Sequence, residues 1–256
     1  MQKTDTVQKK IEKAATLLLV RDGASGLEVF MLKRPGRGAF PGLHVFTGGK
    51  VDATDEALVS GMDWRGPDAA QATHILNSTE LPLSYWLAAI RECYEEAGVL
   101  LGQQAGKALD AATVAELANS RAEEFGGLCA RLGITLEFAA LHYFAHWITP
   151  DMAPRRFDTR FFVAQMPAEQ EASYAPGETI SGDWISAADA LQRADDGRWN
   201  LIMPTLTSLR SLLPYSNVAD LLGAVARFEH LPTYTDHLRS EGMQPGVNPA
   251  HRGAWE

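Results

Sequence analysis

Three glutamates, Glu92, Glu95 and Glu96, stand at spacings of three and four, so in a helix they share one face within a single turn. Like charges this close repel, costing about a few tenths of a kcal/mol per pair. Hard divalent cations such as Mg²⁺ or Mn²⁺ prefer carboxylate oxygen and relieve that repulsion, above all where substrate phosphates complete the coordination shell. The spacing therefore admits a metal-phosphate site. A solvated acidic helix face is the other reading that the glutamates alone leave open.

A helix is needed to position them, and the pattern from 84 to 97 predicts one. Trp86, Ile90, Cys93 and Ala97 recur at helical spacing, and Gly98 stands where a helix commonly stops. At 100° per residue Ile90, Cys93 and Ala97 fall on the arc beside the glutamates, so one side can be buried while the other presents acid. Upstream, 14–20 and 28–34 read as strands of a hairpin turning through 21–27. The segment 34–49 holds five glycines and two prolines and reads as a shaped loop with a short strand near 44–46. Its Gly48 and Gly49 could let backbone approach a metal or phosphate, or simply turn the chain.

Residues 56–82 read as one short helix and a polar loop, 111–131 as helical, and 141–149 and 160–166 as strands. A further strand at 182–185 enters a helix at Ser186, and the last fifth reads as helices followed by a polar tail. Strands mixed with helices in this order predict an α/β sandwich.

Composition narrows the partners. With 23 basic against 32 acidic side chains the net charge is −9, which disfavours attraction to nucleic acid or to an anionic membrane surface. A small molecule is the expected partner. Two cysteines, Cys93 and Cys129, lack metal-ligand or framework spacing and fit a reducing cytoplasm. Residues 1–15 are polar where a signal peptide is apolar, and no run approaches the ~18 apolar residues that cross a bilayer. The expectation is a cytoplasmic monomer or homodimer with no membrane partner.

GGKVDATD (48–55) and RECYEEAGV (91–99) together resemble the Nudix box, G-x5-E-x7-R-E-U-x-E-E-x-G-U with U aliphatic. The second half matches at Arg91, Glu92, Cys93, Glu95, Glu96, Gly98 and Val99. The first half departs from the pattern: Asp55 stands where Glu is usual, and 36 positions rather than 8 separate it from Arg91. Insertions between a loop and a helix add little loop-closure entropy, so both halves can still meet. A box split in this way resembles the coenzyme A diphosphatases of mammalian mitochondrial and peroxisomal type, as do 40–57, Asp63-Trp64 and 147–164.

That resemblance implies a Nudix-type α/β/α sandwich with a mixed sheet. It implies one domain over 1–256, with helical insertions at about 56–84 and 102–138 and a C-terminal helical extension at about 202–256. It also implies a small-molecule nucleotide substrate, CoA or acyl-CoA, split into 3′,5′-ADP and (acyl-)4′-phosphopantetheine. Glu92 and Glu96 would be the main ligands of Mg²⁺ or Mn²⁺, with Glu95 a third ligand or a neighbour orienting water. Arg91 would orient the carboxylates or make an ordinary ion pair with Glu95. Glu178 stands in a loop where Nudix enzymes often place an extra carboxylate, and Asp52 and Asp55 would structure their loop.

Arg34, Arg37, Arg155, Arg156 and Arg160 could grip phosphates, with ordinary surface or strand pairing the other reading for each taken singly. His44, His142 and His146 read as packing or hydrogen-bonding residues, and Trp147 and Trp184 as core. Competing readings are a hydrolase for NADH, ADP-ribose or an oxidised nucleotide, and a noncatalytic nucleotide-sensing module. Three mutually repelling carboxylates argue against the latter. An isoprenoid diphosphate isomerase would need a reactive cysteine, and Cys93 falls on the buried arc while Cys129 lies in the helical insert.

Overall fold

The computed structural model describes residues 10–37, 41–78, 80–118, 125–151, 153–227 and 233–235. The first two strands, β1 (Ile11–Gly23) and β2 (Gly26–Lys33), form the expected hairpin. The turn is tighter than the sequence suggests: pairing continues to Gly23 opposite Gly26, so only 24–25 turn the chain. Gly26 at φ +122° supplies the backbone conformation that a side chain would resist, and Arg21 pairs with Glu28 across the ladder. Further along, β1 changes partner. Its Ala14–Leu17 stretch pairs with β4 (Thr47–Lys50), while β3 (His44–Val45) pairs with the far end of β2.

The insertion that splits the box contains α1 (Asp55–Ser60), β5 (Asp63–Arg65) and α2 (Ala69–Leu76). After it comes α3 (Pro82–Ala97), the helix expected at 84–97. Gly98 ends that helix in the left-handed conformation at φ +67°, and its N–H bonds to Tyr94 O at 2.9 Å. Then follow β6 (Gly102–Gln104), β7 (Lys107–Ala108), α4 (Ala111–Ala118), α5 (Phe125–Leu132) and β8 (Ile134–Glu137). The helix expected at 111–131 is thus α4 and α5, with 119–124 outside the described residues.

The insertions are only partly helical, which corrects the sequence expectation. Segments of both combine in a second sheet of order β5-β8-β6-β7. Strands of two to four residues carry too short a pattern to stand out in sequence. Their buried residues, Ile134 and Leu136 among them, join a core over the outer face of α3.

The chain returns through β9 (His142–Ile148), β10 (Arg156–Gln165), β11 (Ser181–Ser186), α6 (Ala187–Asp195), α7 (Met203–Leu212), α8 (Val218–Val225) and β12 (Thr233–Thr235). The main sheet is mixed, in the order β11-β2-β1-β10-β9-β12, and β1 runs parallel to β10. Strand β12 also corrects the expectation of a helical extension followed by a tail: it lies parallel to β9, Thr233 opposite His146. The ends of that extension, 228–232 and 236–256, lie outside the described residues.

Alternation along the central strands builds two cores. Ala15, Leu17 and Leu19 of β1, with Phe30 and Leu32 of β2, point toward α3; Leu18, Val20, Val29 and Met31 point toward α6, α7 and α8. This is the expected α/β/α sandwich. Both sides of α3 are covered, by the main sheet and by the insertion layer, and Tyr94 on its outer side meets the ring of Phe125 at 5.9 Å. Among the described residues no helix is long and apolar enough to cross a membrane.

Candidate active site

The last turns of α3 lie against β4, and packing there depends on two glycines. A Cβ on Gly49 would fall 2.3–2.5 Å from the Glu92 carboxylate, and one on Gly48 would fall 2.5 Å from Ala15 O. Gly48 also sits at φ +154° and donates its N–H to Glu96 Oε2 at 2.9 Å. These glycines let the β4 backbone lie close to the glutamates and to β1.

Arg91 ties the two halves of the box together. Its Nε and Nη2 donate to Asp55 Oδ1 and Oδ2, each at 3.2 Å, and Nη2 also donates to Lys50 O at 3.0 Å. Its Nη1 reaches Glu92 Oε1 at 3.0 Å and Glu95 Oε2 at 3.1 Å, the latter being the expected i,i+4 pair. Asp55 is fully buried and accepts the Asp52 N–H at 2.8 Å. Thus a residue 36 positions upstream holds the arginine that holds the glutamates, and Asp55 structures the loop as expected. The arginine contact is what the sequence reading missed; the signal was the position Asp55 fills in the box.

Desolvation dominates the electrostatics of the site. Burial raises Glu96 to about 8 and Glu92 to about 7, and raises Glu95 as well. Arg91 opposes the shift at Glu92 and Glu95, and the Gly48 N–H and Arg34 oppose it at Glu96, without cancelling desolvation. Burial would lower the Arg91 guanidinium, but Asp55, Glu92 and Glu95 outweigh it and keep Arg91 charged.

Glu178 lies on an exposed loop, near enough for its charge to raise all three glutamates. The loop is tied to the end of α3: Ser173 and Ala175 donate backbone N–H groups to Ala97 O at 2.9 Å and Glu96 O at 3.1 Å. Arg34 brings a cation to the cluster, 3.8 Å from Glu96 Oε1. Arg37 is exposed and makes no ion pair with the cluster among the described residues.

The other candidates serve packing. Arg160 is buried, donates to Leu76 O and Tyr143 Oη at 3.0 Å each, and lies over the Tyr85 ring. Arg156 is taken by Asp151 and Thr149 O. His146 pairs with Asp158 at 2.6 Å, and His44 stacks on Trp199 at 4.2 Å, where burial lowers its pKa to about 4. Burial also lowers His142, Trp147 is core, and Trp184 packs on Phe30. Cys93 is buried and its thiol is pushed up to about 12; Cys129 is buried too, which removes the reactive thiol an isomerase would need.

Among the described residues no three His, Cys, Asp or Glu side chains converge as a ready-made metal cage. The donor set nevertheless fits a hard cation: one buried and two partly buried carboxylates with raised pKa values, paired among the described residues with Arg91 and Arg34. Mg²⁺ typically takes one or two carboxylates and completes its shell with water and substrate phosphate, so a closed cage is not required.

A mixed sheet between helical layers, with a split box closed by Arg91 and Asp55 around three glutamates, defines a Nudix domain. More narrowly, the chain belongs to the family of the NUDT19 Nudix domain, whose model matches residues 63–212. Among curated proteins it is 29% identical to the acyl-coenzyme A diphosphatase NUDT19 of Homo sapiens and 27% identical to that of Gallus gallus. Those alignments cover 77% and 78% of this chain, and the chain spans 64% of each relative's length. A crystal structure of a Nudix hydrolase from Alicyclobacillus acidocaldarius superposes with a TM-score of 0.69 at 27% identity, over 85% of this chain and 97% of that one.

Proposed function

We propose that the protein hydrolyses the diphosphate bond of CoA or acyl-CoA, giving 3′,5′-ADP and (acyl-)4′-phosphopantetheine. The observation that carries the chemistry is the Arg91–Asp55 contact, which rejoins the split box and fixes Glu92 and Glu95 beside the buried Glu96. The substrate follows from the relatives named as acyl-coenzyme A diphosphatases.

Glu92 and Glu96, with Glu95 beside them, would hold Mg²⁺ or Mn²⁺. When bound, such a cation lowers the pKa of water and offsets charge on the nonbridging oxygens of a diphosphate. The chain's own groups do the rest. Arg91 sets the carboxylate orientation, and the Gly48 N–H fixes Glu96 Oε2. Arg34 faces the cluster as a cation for the substrate's phosphates, with Arg37 farther along the same loop. Glu178 would take a proton from the attacking water or add a ligand, a role supported by its charge being felt at all three glutamates. A reducing, cytoplasmic setting fits the two free thiols, and a monomer or homodimer is the oligomeric state this proposal carries.

The test is product analysis after incubating purified protein and Mg²⁺ or Mn²⁺ with CoA, acetyl-CoA, NADH, ADP-ribose and 8-oxo-dGTP. Fastest release of 3′,5′-ADP from the CoA compounds supports the assignment. Preference for another substrate overturns the CoA assignment and leaves the chemistry; no turnover of any overturns both.

A further inference from the structure

Arg34, whose guanidinium lies 3.8 Å from Glu96 Oε1, stands where the main sheet runs out. Pairing of β2 with β11 ends at Lys33, whose carbonyl takes the Ile180 N–H at 2.9 Å. On the other edge of β2 the partner β3 is two residues long, and just beyond it the Arg34 N–H bonds to Leu43 O at 2.9 Å. A strand this short has too little pairing of its own to hold its place. Its anchor is His44, on the far side of the sheet.

Side chains alternate along β2. Leu32 lies in the core under α3 and Met31 in the core under α6, α7 and α8, so Lys33 and its cross-strand partner His44 face α6 while Arg34 faces the glutamates. The buried His44 ring lies flat on the Trp199 ring, with centroids 4.2 Å and planes 6° apart, and the His44 N–H donates to Asn200 O at 2.9 Å. Ring and backbone of His44 are thus both held by the two residues 199–200. Trp199 is fixed in turn: it is buried, its N–H donates to Arg193 O at 3.0 Å in α6, and the Arg193 guanidinium lies over its ring at 5.1 Å.

We propose that Trp199, acting through His44, is a positioning residue for Arg34, so that the α6 layer sets the reach of a phosphate-binding cation on the opposite face of the sheet. This rests on the reading of Arg34 as a cation for the substrate's phosphates. Arginine meets phosphate through a planar fork, so displacing the strand that carries it is felt more than for a flexible point charge. Burial lowers His44 to about 4 and keeps its ring neutral at pH 7, so an uncharged aromatic ring at 199 is what the contact requires.

The experiment titrates methylenediphosphonate, a diphosphate analogue whose P–C–P bridge resists hydrolysis, into the Mg²⁺-loaded protein by calorimetry. Wild type, Trp199→Leu, Trp199→Phe, Arg34→Met and the Trp199→Leu/Arg34→Met double variant are compared, with thermal melts on each. Leu221→Ala, in the same core, controls for lost stability. Loss of a charged hydrogen-bonding partner predicts that Arg34→Met weakens binding by about tenfold or more. Trp199→Leu should weaken it by about threefold or more, Trp199→Phe should keep it, and the double variant should bind like Arg34→Met alone. Leu221→Ala should lower Tm and leave affinity unchanged. His44→Ala removes the other ring of the stack and carries the same prediction should Trp199→Leu fail to fold. Unchanged affinity in Trp199→Leu beside a weakened Arg34→Met overturns the positioning role alone, as do additive losses in the double variant or an equal loss in Leu221→Ala. Wild-type affinity in Arg34→Met, or no binding to wild type, overturns the reading of Arg34 and the positioning role with it. The CoA assignment fails separately, since the diphosphonate carries neither half of that substrate.

Discussion

Replacing Asp55 with alanine tests whether the two halves of the split box act as one unit. The Asp55 carboxylate is fully buried, takes two hydrogen bonds from Arg91 at 3.2 Å each and one from the Asp52 N–H at 2.8 Å. Removing one partner of a buried ion pair typically costs about 3–5 kcal/mol. Arg91 keeps Glu92, Glu95 and the Lys50 carbonyl, so the lower end applies, about 3 kcal/mol. For a domain of this size each kcal/mol moves Tm by about 2–4 °C, which predicts a fall of about 6–12 °C in a thermal melt. Activity should fall as well, because an arginine released from Asp55 no longer fixes Glu92 and Glu95; losing such an orienting partner costs about 10- to 100-fold. The decisive comparison is a cycle with Arg91→Met. If Asp55 acts through Arg91, kcat of the double variant is close to that of Arg91→Met alone. A melt within about 2 °C of wild type together with normal kcat, or strictly additive losses in the cycle, would refute the reasoning.

Three further outcomes follow from the same geometry. Gly49→Ala places a methyl group 2.3–2.5 Å from the end of the Glu92 side chain, so kcat should drop at least about tenfold while Tm shifts little, checked by kinetics beside a melt. Gly48→Ala meets backbone, Ala15 O at 2.5 Å and Thr16 Cα at 2.8 Å, at a positive φ, and should instead show as a lowered Tm. The metal-free protein should lose stability as pH rises. Glu92 and Glu96 are raised from 4.5 to about 7 and about 8, so the fold favours their protonated forms; that stability is full below about pH 4.5 and is lost as pH climbs through 7 to 8. Melts from pH 5 to 9 should show this decline, and Mg²⁺ should reduce it, since a bound cation favours the ionised carboxylates; a Tm that rises with pH without metal would contradict the assignment.

The main sheet and α3 were legible because their patterns are long. Strand β1 carries an apolar run of strand-forming residues over 14–20, the sixteen residues of α3 carry helical recurrence, and Gly98 marks the stop. The second sheet was not, because β5, β6 and β7 span only two or three residues, and β5 of the first insertion pairs with β8 of the second. Strand β12 was hidden for a similar reason: three residues in a polar stretch gain their pairing from β9 alone. In the site, spacing within one helix put Glu92, Glu95 and Glu96 on one face and Arg91 beside Glu95, while their roles came from the resemblance to the Nudix box. The Asp55–Arg91 contact and the docking of 173–175 on the end of α3 were not, since each joins residues more than thirty positions apart, and the latter runs through backbone groups that no side-chain pattern records.

The central claim is that the carboxylates of α3 perform metal-assisted hydrolysis, and Glu96→Gln tests it most directly. Glutamine keeps the shape and an oxygen that can still accept the Gly48 N–H. The measurement is kcat for CoA in the presence of Mg²⁺, with Mn²⁺ binding followed by electron paramagnetic resonance on the same samples. The account predicts a Tm close to wild type, weakened Mn²⁺ binding and turnover lower by orders of magnitude. Near-normal kcat in a folded Glu96→Gln protein would contradict it.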